Sequence, residues 1–333
     1  MTLLSWNCRG MGGSLGSPKM MHLSRLISST KPQVTFLSET RNSSISVNSI
    51  INHFNVHNVH IVPAQGLSGG LWLLWTQEVE VDVVATSSNL ILALSVHKQT
   101  STKFGLICMY GDPHHQNTTT IWSDVQAFVV SYPSLPMICM GDLNNIMNAN
   151  EKLGPRPANV RAISEFCCMI KNCGLFDLGY NGPAYTWTNK RFNTNPTFER
   201  LDRFLGNAEW CTAFPNTMVY HLPMMKSDHA PILAVLDSKR IKTNKPFKFE
   251  NWWLFEQDFQ QVARASWDKS SQRDFSRKTR YLASDLKAWR RSKPRLNEQL
   301  ESVEQQLLQL QSRPPTFKTT PCKRNSPTST IPS

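Results

Sequence analysis

The chain has 333 residues, of which 40% are hydrophobic, and 36 Lys/Arg residues outnumber 24 Asp/Glu residues to give a formal net charge of +12. This length can form one large domain or two smaller ones around a substantial core. No stretch approaches the roughly 18 apolar residues that a membrane-spanning helix needs, and the N-terminus lacks the pattern of a secretory signal. We therefore expect an intracellular protein, with the nucleus as a candidate location, that is neither secreted nor inserted in a membrane.

The positive charge is concentrated at the C-terminus. Residues 1–238 carry 16 basic and 15 acidic side chains, whereas residues 239–333 carry 20 and 9, so the two parts have net charges of +1 and +11. A basic segment of this kind favours a polyanionic partner, although a solvated tail has a similar composition. The eight cysteines form no Cys-x-x-Cys pair, which predicts free thiols in a reducing compartment rather than disulfides or a zinc site.

In chain order, apolar strand-like runs repeatedly end in a polar residue. The first predicted strand ends at Asn7, a helix follows over 18 to about 28, and a second strand over 34–40 contains Glu39 near its end. Glu39 alone has a simpler interpretation as a solvated acid. The repetition is informative because binding and catalytic residues concentrate where strands meet loops.

The middle of the chain continues this pattern. Four runs over 61–62, 69–75, 79–84 and 90–96 resemble an antiparallel meander. The strand over 104–110 ends in Tyr110, which fits an amphipathic edge residue and a functional residue equally well. A helix over 118–131 then precedes a further apolar run.

That apolar run ends abruptly at Gly141 and is followed by Asp142 and Asn144. On an extended chain, residues two positions apart point to the same side, so these two side chains can reach one ligand together. The alternative is a turn that merely ends the strand, because Asp and Asn also stabilise turns locally.

Two further acidic positions lie near the end of this region. Asp202 interrupts the apolar residues of a strand predicted over 198–205, so it is expected to face inward and to need a polar partner. Asp228 and His229 immediately precede the last predicted strand, over 232–236. An isolated Asp-His pair usually caps a loop. Here the pair comes just before an apolar strand, whereas other acidic residues of the set come near or after the end of one.

The order of the elements predicts an α+β fold over residues 1–238. The expected architecture is a four-layer α/β sandwich, with two packed mixed β-sheets flanked by helices. A linker is predicted over 239–254, a basic helical segment over 255–311 and a disordered tail over 312–333. Within the helical segment, Leu296, Leu300, Val303, Leu307 and Leu310 have the spacing of a short coiled-coil seam, which we expect to pack on the preceding helix.

The polar residues at the strand ends suit phosphodiester hydrolysis. Carboxylate and amide oxygens are good ligands for Mg²⁺, which neutralises charge on the phosphate. A carboxylate can orient or deprotonate the attacking water, and an imidazole fixed by a second acid can hold the phosphoryl oxygens. The set consists of Asn7, Glu39, Tyr110, Asp142, Asn144, Asp202, Asp228 and His229.

Six short motifs occur in an order that resembles the endonuclease/exonuclease/phosphatase superfamily. They are Ser5-Trp6-Asn7-Cys8-Arg9-Gly10, Leu37-Ser38-Glu39-Thr40, Met109-Tyr110-Gly111, Met140-Gly141-Asp142-Leu143-Asn144, Arg200-Leu201-Asp202-Arg203 and Ser227-Asp228-His229. Within the superfamily, the chain resembles the apurinic-type endonuclease domain of plant LINE-type (non-LTR) retrotransposons. That narrower match rests on Tyr185-Thr186-Trp187-Thr188-Asn189, Asn207-Ala208-Glu209-Trp210, Phe214-Pro215 and the aromatic stretch over 247–254.

The resemblance implies a role for each site residue. Glu39 is implied to be the main metal ligand, assisted by Asn7 and Asp228, for Mg²⁺ or alternatively Mn²⁺. Asp142 is implied to activate water with Asn144 beside it on the phosphate, and His229, oriented by Asp202, is implied to contact the phosphate, as is Tyr110. Trp187 is expected to pack under the site. The partner implied is DNA, with no small-molecule cofactor, and the implied product is a nick with a 3′-hydroxyl and a 5′-phosphate.

Two departures from the family pattern bear on these expectations. Arg9 stands where some apurinic endonucleases carry an acid, which puts a second metal in doubt. The reverse transcriptase that accompanies such domains has no counterpart in the sequence, so we expect a truncated or solitary copy of a retroelement endonuclease. The alternatives are an inactive remnant that binds nucleic acid, an abasic-site repair endonuclease, or a phosphatase of the same superfamily.

Overall fold

A computed structural model describes residues 1–236 except 13, 43, 44, 66 and 67, and also residues 254, 256, 258–269, 275–292 and 296–312. The predicted linker over 239–254 and the predicted disordered tail over 312–333 lie outside the described residues, apart from positions 254 and 312.

Strands and helices alternate along the described part of the chain. The strands are β1 (Thr2–Asn7), β2 (Val34–Ser38), β3 (Asn58–Gln65), β4 (Ser68–Trp75), β5 (Val79–Thr86), β6 (Leu90–His97), β7 (Thr102–Tyr110), β8 (Met137–Asp142), β9 (Lys152–Leu153), β10 (Phe176–Asp177), β11 (Trp187–Thr188), β12 (Phe198–Glu199), β13 (Asp202–Gly206), β14 (Met218–His221) and β15 (Ile232–Val235). The helices are α1 (Pro18–Thr30), α2 (Val47–Phe54), α3 (Thr118–Ser131), α4 (Val160–Asn172), α5 (Ala208–Ala213), α6 (Phe259–Asp268), α7 (Phe275–Ser292) and α8 (Leu296–Ser312).

Two six-stranded mixed sheets form the centre of the molecule. One has the strand order β14-β15-β1-β2-β4-β3 and the other β10-β13-β8-β7-β6-β5, and a small third sheet contains β11, β12 and β9. The pairs β1/β2 and β7/β8 are parallel, while the other pairs are antiparallel. Parallel strands end at the same edge of a sheet. The polar residues at or just after the ends of β1 and β2 therefore become neighbours, as do those that end β7 and β8.

Apolar side chains fill three interfaces and thereby fix four layers. Between the sheets lies a core that includes Phe36, Leu106 and Phe204. On the outer face of the first sheet a second cluster includes Leu23 of α1 and Ile50 of α2, and on the outer face of the second sheet a third cluster includes residues of α3 and α4. The predicted α+β sandwich of two mixed sheets flanked by helices is therefore confirmed.

The structure differs from the sequence-based expectations in some connections. The four runs expected to form one meander are divided, since β3 and β4 belong to the first sheet and β5 and β6 to the second. The strand expected over 198–205 is broken into β12 and β13, which pair in different sheets. A helix, α2, was not predicted, although Ser46 is a recognisable N-cap that accepts a hydrogen bond from the Ser49 amide.

The C-terminal helices have their own contacts. Phe259, Leu286 and Trp289 join α6 to α7 in a small apolar cluster. Helix α8 touches the sandwich, where Glu304 pairs with Arg25 of α1. In the predicted seam of α8, Val303 is 55% and Leu310 62% exposed, so more than half of each of these side chains faces solvent. None of the described helices combines the length and apolar character needed to cross a bilayer.

Candidate active site

The predicted site residues meet at one edge of the two sheets. In the first sheet Asn7 lies opposite Ser38, the residue before Glu39. In the second sheet Asp142 at the end of β8 pairs with Tyr110 on one side and with Asp202 on the other. Face-to-face packing of the sheets then brings the two groups together.

Asn7 connects the two sheets through its side-chain amide. Its Nδ2 donates to Glu39 Oε1 at 3.0 Å and to Asp142 Oδ2 at 2.9 Å. The Tyr110 hydroxyl donates to the same Glu39 oxygen at 3.0 Å. Asn7 is 1% exposed, so this amide holds the two carboxylates at a fixed separation away from bulk water.

Asp142, His229 and Asp202 form a second set of contacts, here called the relay cluster. His229 Nδ1 lies 2.9 Å from Asp202 Oδ2, and His229 Nε2 lies 3.6 Å from Asp142 Oδ2. Asp202 is positioned in turn by Thr186, whose Oγ1 accepts from the backbone amide of Asp202 at 3.0 Å. The imidazole is therefore held between two buried carboxylates, one of which fixes its orientation.

The surroundings of Asp142 and His229 in the relay cluster raise the pKa of both groups. Burial raises the pKa of Asp142 to about 7, with the Asp202 charge adding to the rise and His229 opposing it. Burial alone would lower the pKa of His229, but Asp202 and Asp142 together raise it to about 9. The cluster therefore retains a proton at neutral pH, and a carboxylate with a pKa near 7 is well matched to general base catalysis.

The carboxylates of Glu39 and Asp228 lie beside arginines. Arg41 pairs with Glu39, and Arg9 pairs with Asp228. Burial acts against ionisation of Glu39, but the hydrogen bond from Asn7 and the Arg41 charge hold its pKa below the ordinary value. For Asp228, burial is likewise outweighed, here by the nearby His229 and Arg9 charges, so its pKa is also lowered. Both carboxylates are thus ionised at neutral pH.

The remaining predicted residues contact this set. Asn144 donates its backbone amide to Asp142 Oδ1 at 2.9 Å and its side-chain amide to the Gly111 carbonyl at 2.6 Å. Trp187 donates Nε1 to Asp228 Oδ2 at 3.2 Å, and its ring centroid lies 6.4 Å from that of His229. Seven of the eight predicted residues are therefore joined by direct contacts. The eighth, Asp228, is joined to them through Arg9, which pairs with Asp228 and donates its backbone amide to Asn7 Oδ1.

The donor atoms of the site fit a divalent cation. Asp142, Asp202 and His229 each offer one ligand atom, and these atoms lie within 4.8 Å of one another. That group already forms the relay cluster, whereas Glu39 and Asp228 offer ionised oxygens beside it. Carboxylate oxygens of this kind suit a hard cation. Asn7 could join them only through Oδ1, the atom that now accepts the Arg9 amide at 3.0 Å.

Several supporting residues were missed by reasoning from the sequence. Ser227 donates its hydroxyl to the Asn7 carbonyl at 2.8 Å and so ties the Asp-His loop to β1. Behind Asp202, two buried arginines and two partly buried acids form a network, here called the bracing cluster: Arg200, Arg203, Glu151 and Asp177. The available signal was the charge on a short apolar strand, since Arg200 and Arg203 could remain buried there only with partners.

Two surface clefts lie apart from these residues. Their volumes are about 380 and 620 Å³, and neither is lined by any of the eight predicted site residues.

Comparison with solved structures reveals the same fold in several nucleases. AP endonuclease LMAP from Leishmania major matches with a TM-score of 0.55 at 15% identity, over 70% of this chain and 86% of that one. The endonuclease domain of TRAS1, a telomere-specific non-LTR retrotransposon, matches with a TM-score of 0.53 at 12% identity, over 72% and 99%. The 3′ phosphatase NExo from Neisseria, bound to a product DNA hairpin, matches with a TM-score of 0.53 at 16% identity, over 72% and 100%.

Sequence comparison identifies the family. No curated protein sequence matches the chain. The model of the Endonuclease/Exonuclease/phosphatase family matches residues 4–229, a segment that contains all eight predicted site residues. On this evidence, the chain belongs to the Endonuclease/Exonuclease/phosphatase family.

Proposed function

We propose that this protein is a Mg²⁺-dependent endonuclease that nicks DNA. The observation that carries the proposal is the continuous contact from Tyr110 through Glu39, Asn7 and Asp142 to His229. It places an ionised acid, a carboxylate with a pKa near 7 and an imidazole around one point. Groups of these three kinds can bind a cation, accept the proton of the attacking water and stabilise charge on the phosphate.

The residues have separate tasks in the proposed reaction. Asp142 accepts a proton from the attacking water, and the Asn144 amide holds this carboxylate through its Oδ1. His229, kept protonated by Asp202, donates a hydrogen bond to a phosphoryl oxygen where negative charge develops. Tyr110 is proposed to contact the same phosphate, and the nick leaves a 3′-hydroxyl and a 5′-phosphate.

Glu39 and Asp228 are proposed to hold Mg²⁺, or Mn²⁺ in its place, with Asn7 as an additional ligand. A bound cation would supply charge neutralisation on the phosphate. The ionised state of both carboxylates supports this assignment. The sequence motifs and the fold shared with the TRAS1 domain favour a retrotransposon origin of the LINE type. Because the substrate would be chromosomal DNA, we propose that the protein acts in the nucleus.

Nicking of a supercoiled plasmid tests the proposal directly. The wild-type protein is expected to nick with Mg²⁺ or Mn²⁺, and Glu39→Gln and His229→Ala should both abolish nicking. Arg161→Ala is a matched control, because Arg161 is 88% exposed and pairs only with Glu165 on the same helix among the described residues. A wild-type protein that is inactive with both metals would refute the proposal.

The choice of substrate separates alternatives within the family. Intact duplex, abasic duplex and phosphoinositide should be compared under the same conditions, followed by end-group analysis of the products. Faster cleavage of intact duplex supports the nicking endonuclease. A preference for the abasic duplex would instead identify a repair enzyme, and a preference for phosphoinositide a phosphatase.

A second candidate function is binding of nucleic acid through the C-terminal segment without catalysis. The net charge of +11 over residues 239–333 favours it. Removal of this segment should then eliminate DNA affinity and its steep salt dependence while circular dichroism shows that residues 1–238 remain folded. Unchanged affinity after the deletion would exclude this function.

A further inference from the structure

Two arginines lie in the loops that follow the neighbouring strands β1 and β2. Arg9 stands two residues after Asn7 at the end of β1, and Arg41 stands two residues after Glu39, beyond the end of β2. Both adopt a left-handed backbone with φ of 47°, which is uncommon for a residue other than glycine. The Gly10 amide donates to the Glu39 carbonyl at 2.6 Å, so the two loops are fastened to each other.

Each arginine neutralises one proposed metal ligand. Arg9 pairs with Asp228 Oδ2, and Arg41 pairs with Glu39 Oε2. In the described part of the chain, neither guanidinium contacts a second carboxylate within ion-pair distance. A divalent cation that binds these carboxylates would therefore compete with the arginines for the same oxygens.

The exposure of these arginines indicates that a divalent cation could replace them at their carboxylates. The Arg9 side chain is 54% exposed and the Arg41 side chain 38%, whereas their acidic partners are 2% and 12% exposed. The arginines of the bracing cluster are 6% and 0% exposed and each contacts two acids. Water can solvate a released guanidinium of Arg9 or Arg41 at little cost in free energy. The largely buried carboxylates that they now neutralise would be destabilised without a positive partner.

A further basic side chain lies beside these loops. Lys19 donates Nζ to the carbonyls of Cys8 and Arg9 at 2.6 and 2.8 Å. These contacts bring a third basic group to the loop that follows β1. A guanidinium released from its carboxylate would therefore remain beside other cations, an arrangement that attracts the phosphates of DNA.

We propose that Arg9 and Arg41 are exchangeable counterions of the metal site. They neutralise Asp228 and Glu39 when no divalent cation is bound. A cation displaces them, and their guanidinium groups then pair with DNA phosphates beside the cleaved bond. The second half of this proposal rests on the proposed function, whereas the first half depends only on the two ion pairs.

Measurement of Mn²⁺ binding without DNA tests the first half. Calorimetric titration of the full chain should show that Arg9→Ala and Arg41→Ala each tighten Mn²⁺ binding by about tenfold or more, because a close competing charge has been removed. The double variant should bind more tightly than either single variant. Arg161→Ala, which removes an exposed arginine of α4, should leave the affinity unchanged.

DNA binding tests the second half and should change in the opposite direction. With saturating Mn²⁺ and a nicked duplex, the two variants should bind DNA more weakly than the wild type. Each substitution should also reduce the slope of log affinity against log salt concentration by about 1, since one phosphate contact is lost. An unchanged slope would refute the role of these arginines in DNA binding.

The outcomes separate this proposal from the proposed function. Unchanged or weaker Mn²⁺ binding in folded variants would refute the counterion role, even if the wild type nicks DNA. Tighter Mn²⁺ binding in the variants of a protein that fails to nick would support the counterion role and refute the endonuclease. Arg9→Gln and Arg41→Gln retain hydrogen-bond donors without the charge, and they replace the alanine variants if circular dichroism shows that those unfold.

Discussion

Two buried groups of charges lie on opposite sides of β13 and serve different purposes. In the relay cluster, two carboxylates share one imidazole. In the bracing cluster, two carboxylates face two guanidiniums. Adjacent residues of a strand point to opposite faces, so Asp202 belongs to the first group and Arg203 to the second.

The difference lies in whether the charges balance. The bracing cluster is neutral as a whole, and Arg203 reaches Asp177 at 2.7 Å and Glu151 through both of its Nη atoms. Its balanced charges do not favour uptake or release of a proton near neutral pH. The relay cluster has an excess of negative charge, which is reduced when a proton is retained. Burial raises the pKa of Asp142 and the Asp202 charge adds to that rise, while for His229 burial is outweighed by the two carboxylates, which together raise its pKa. Balanced buried charge thus supports structure, whereas unbalanced buried charge supports proton transfer.

The largest expected effect follows from removing the charge that orients the imidazole. Asp202→Asn should lower the single-turnover rate of DNA nicking by about 10²- to 10⁴-fold, because His229 loses both its orientation and its excess proton affinity. The midpoint of urea unfolding should change little, since the asparagine retains the shape of the side chain. A rate within a factor of about three of the wild type would contradict the role of Asp202 in the relay cluster.

A substitution in the bracing cluster should instead act mainly on the stability of the fold. Arg203→Met should lower the free energy of unfolding by about 3–5 kcal/mol, because it leaves two partly buried carboxylates with only one cationic partner. Urea denaturation followed by circular dichroism measures this loss. A variant of wild-type stability with an impaired nicking rate would reverse the proposed division between the two clusters.

The strand paired with β13 provides a third test. Gly141 lies opposite Arg203, has φ of 148°, and any Cβ there would meet the Met109 carbonyl oxygen at 1.8 Å. Gly141→Ala should therefore destabilise the fold by about 2–4 kcal/mol, since the strand must shift. Gly16→Ala is the control, because a Cβ at that position meets nothing within 4 Å. Equal stability of the two variants would show that β8 can shift freely.

The smallest expected effect concerns acid stability. The pKa of Glu151 and of Asp177 is lowered, because burial is outweighed by Arg203 for the former and Arg200 for the latter. Their stabilisation is thus complete above the ordinary values of 4.5 and 3.8 and is lost as the pH falls through the lowered values. Glu151→Gln should be less stable than the wild type at pH 7, and the difference should narrow on acidification. Urea unfolding at several pH values measures this, and a difference that widens in acid would contradict the sign.

Much of the fold could be predicted from local patterns. The apolar run that forms β8 and the Gly141-Asp142-Leu143-Asn144 sequence after it mark a strand that ends in a polar loop, and the structure has that strand over Met137–Asp142. The division of four predicted strands between two sheets could not be read in this way, because the period of a strand specifies which side chains share a face and not which sheet the strand joins.

The sequence by itself determined the chemical inventory of this protein: eight polar residues, each in or beside an apolar run, in the order typical of one superfamily. Only the tertiary structure decided how they are partnered. Asn7 meets Asp142 across 135 positions of sequence, and Arg9 meets Asp228 across 219. The first contact depends on the packing of one sheet on the other, and the second on the pairing of β1 with β15 within the first sheet. Local sequence propensity does not specify these long-range contacts, because they are set by side chains that become neighbours only when the core is buried.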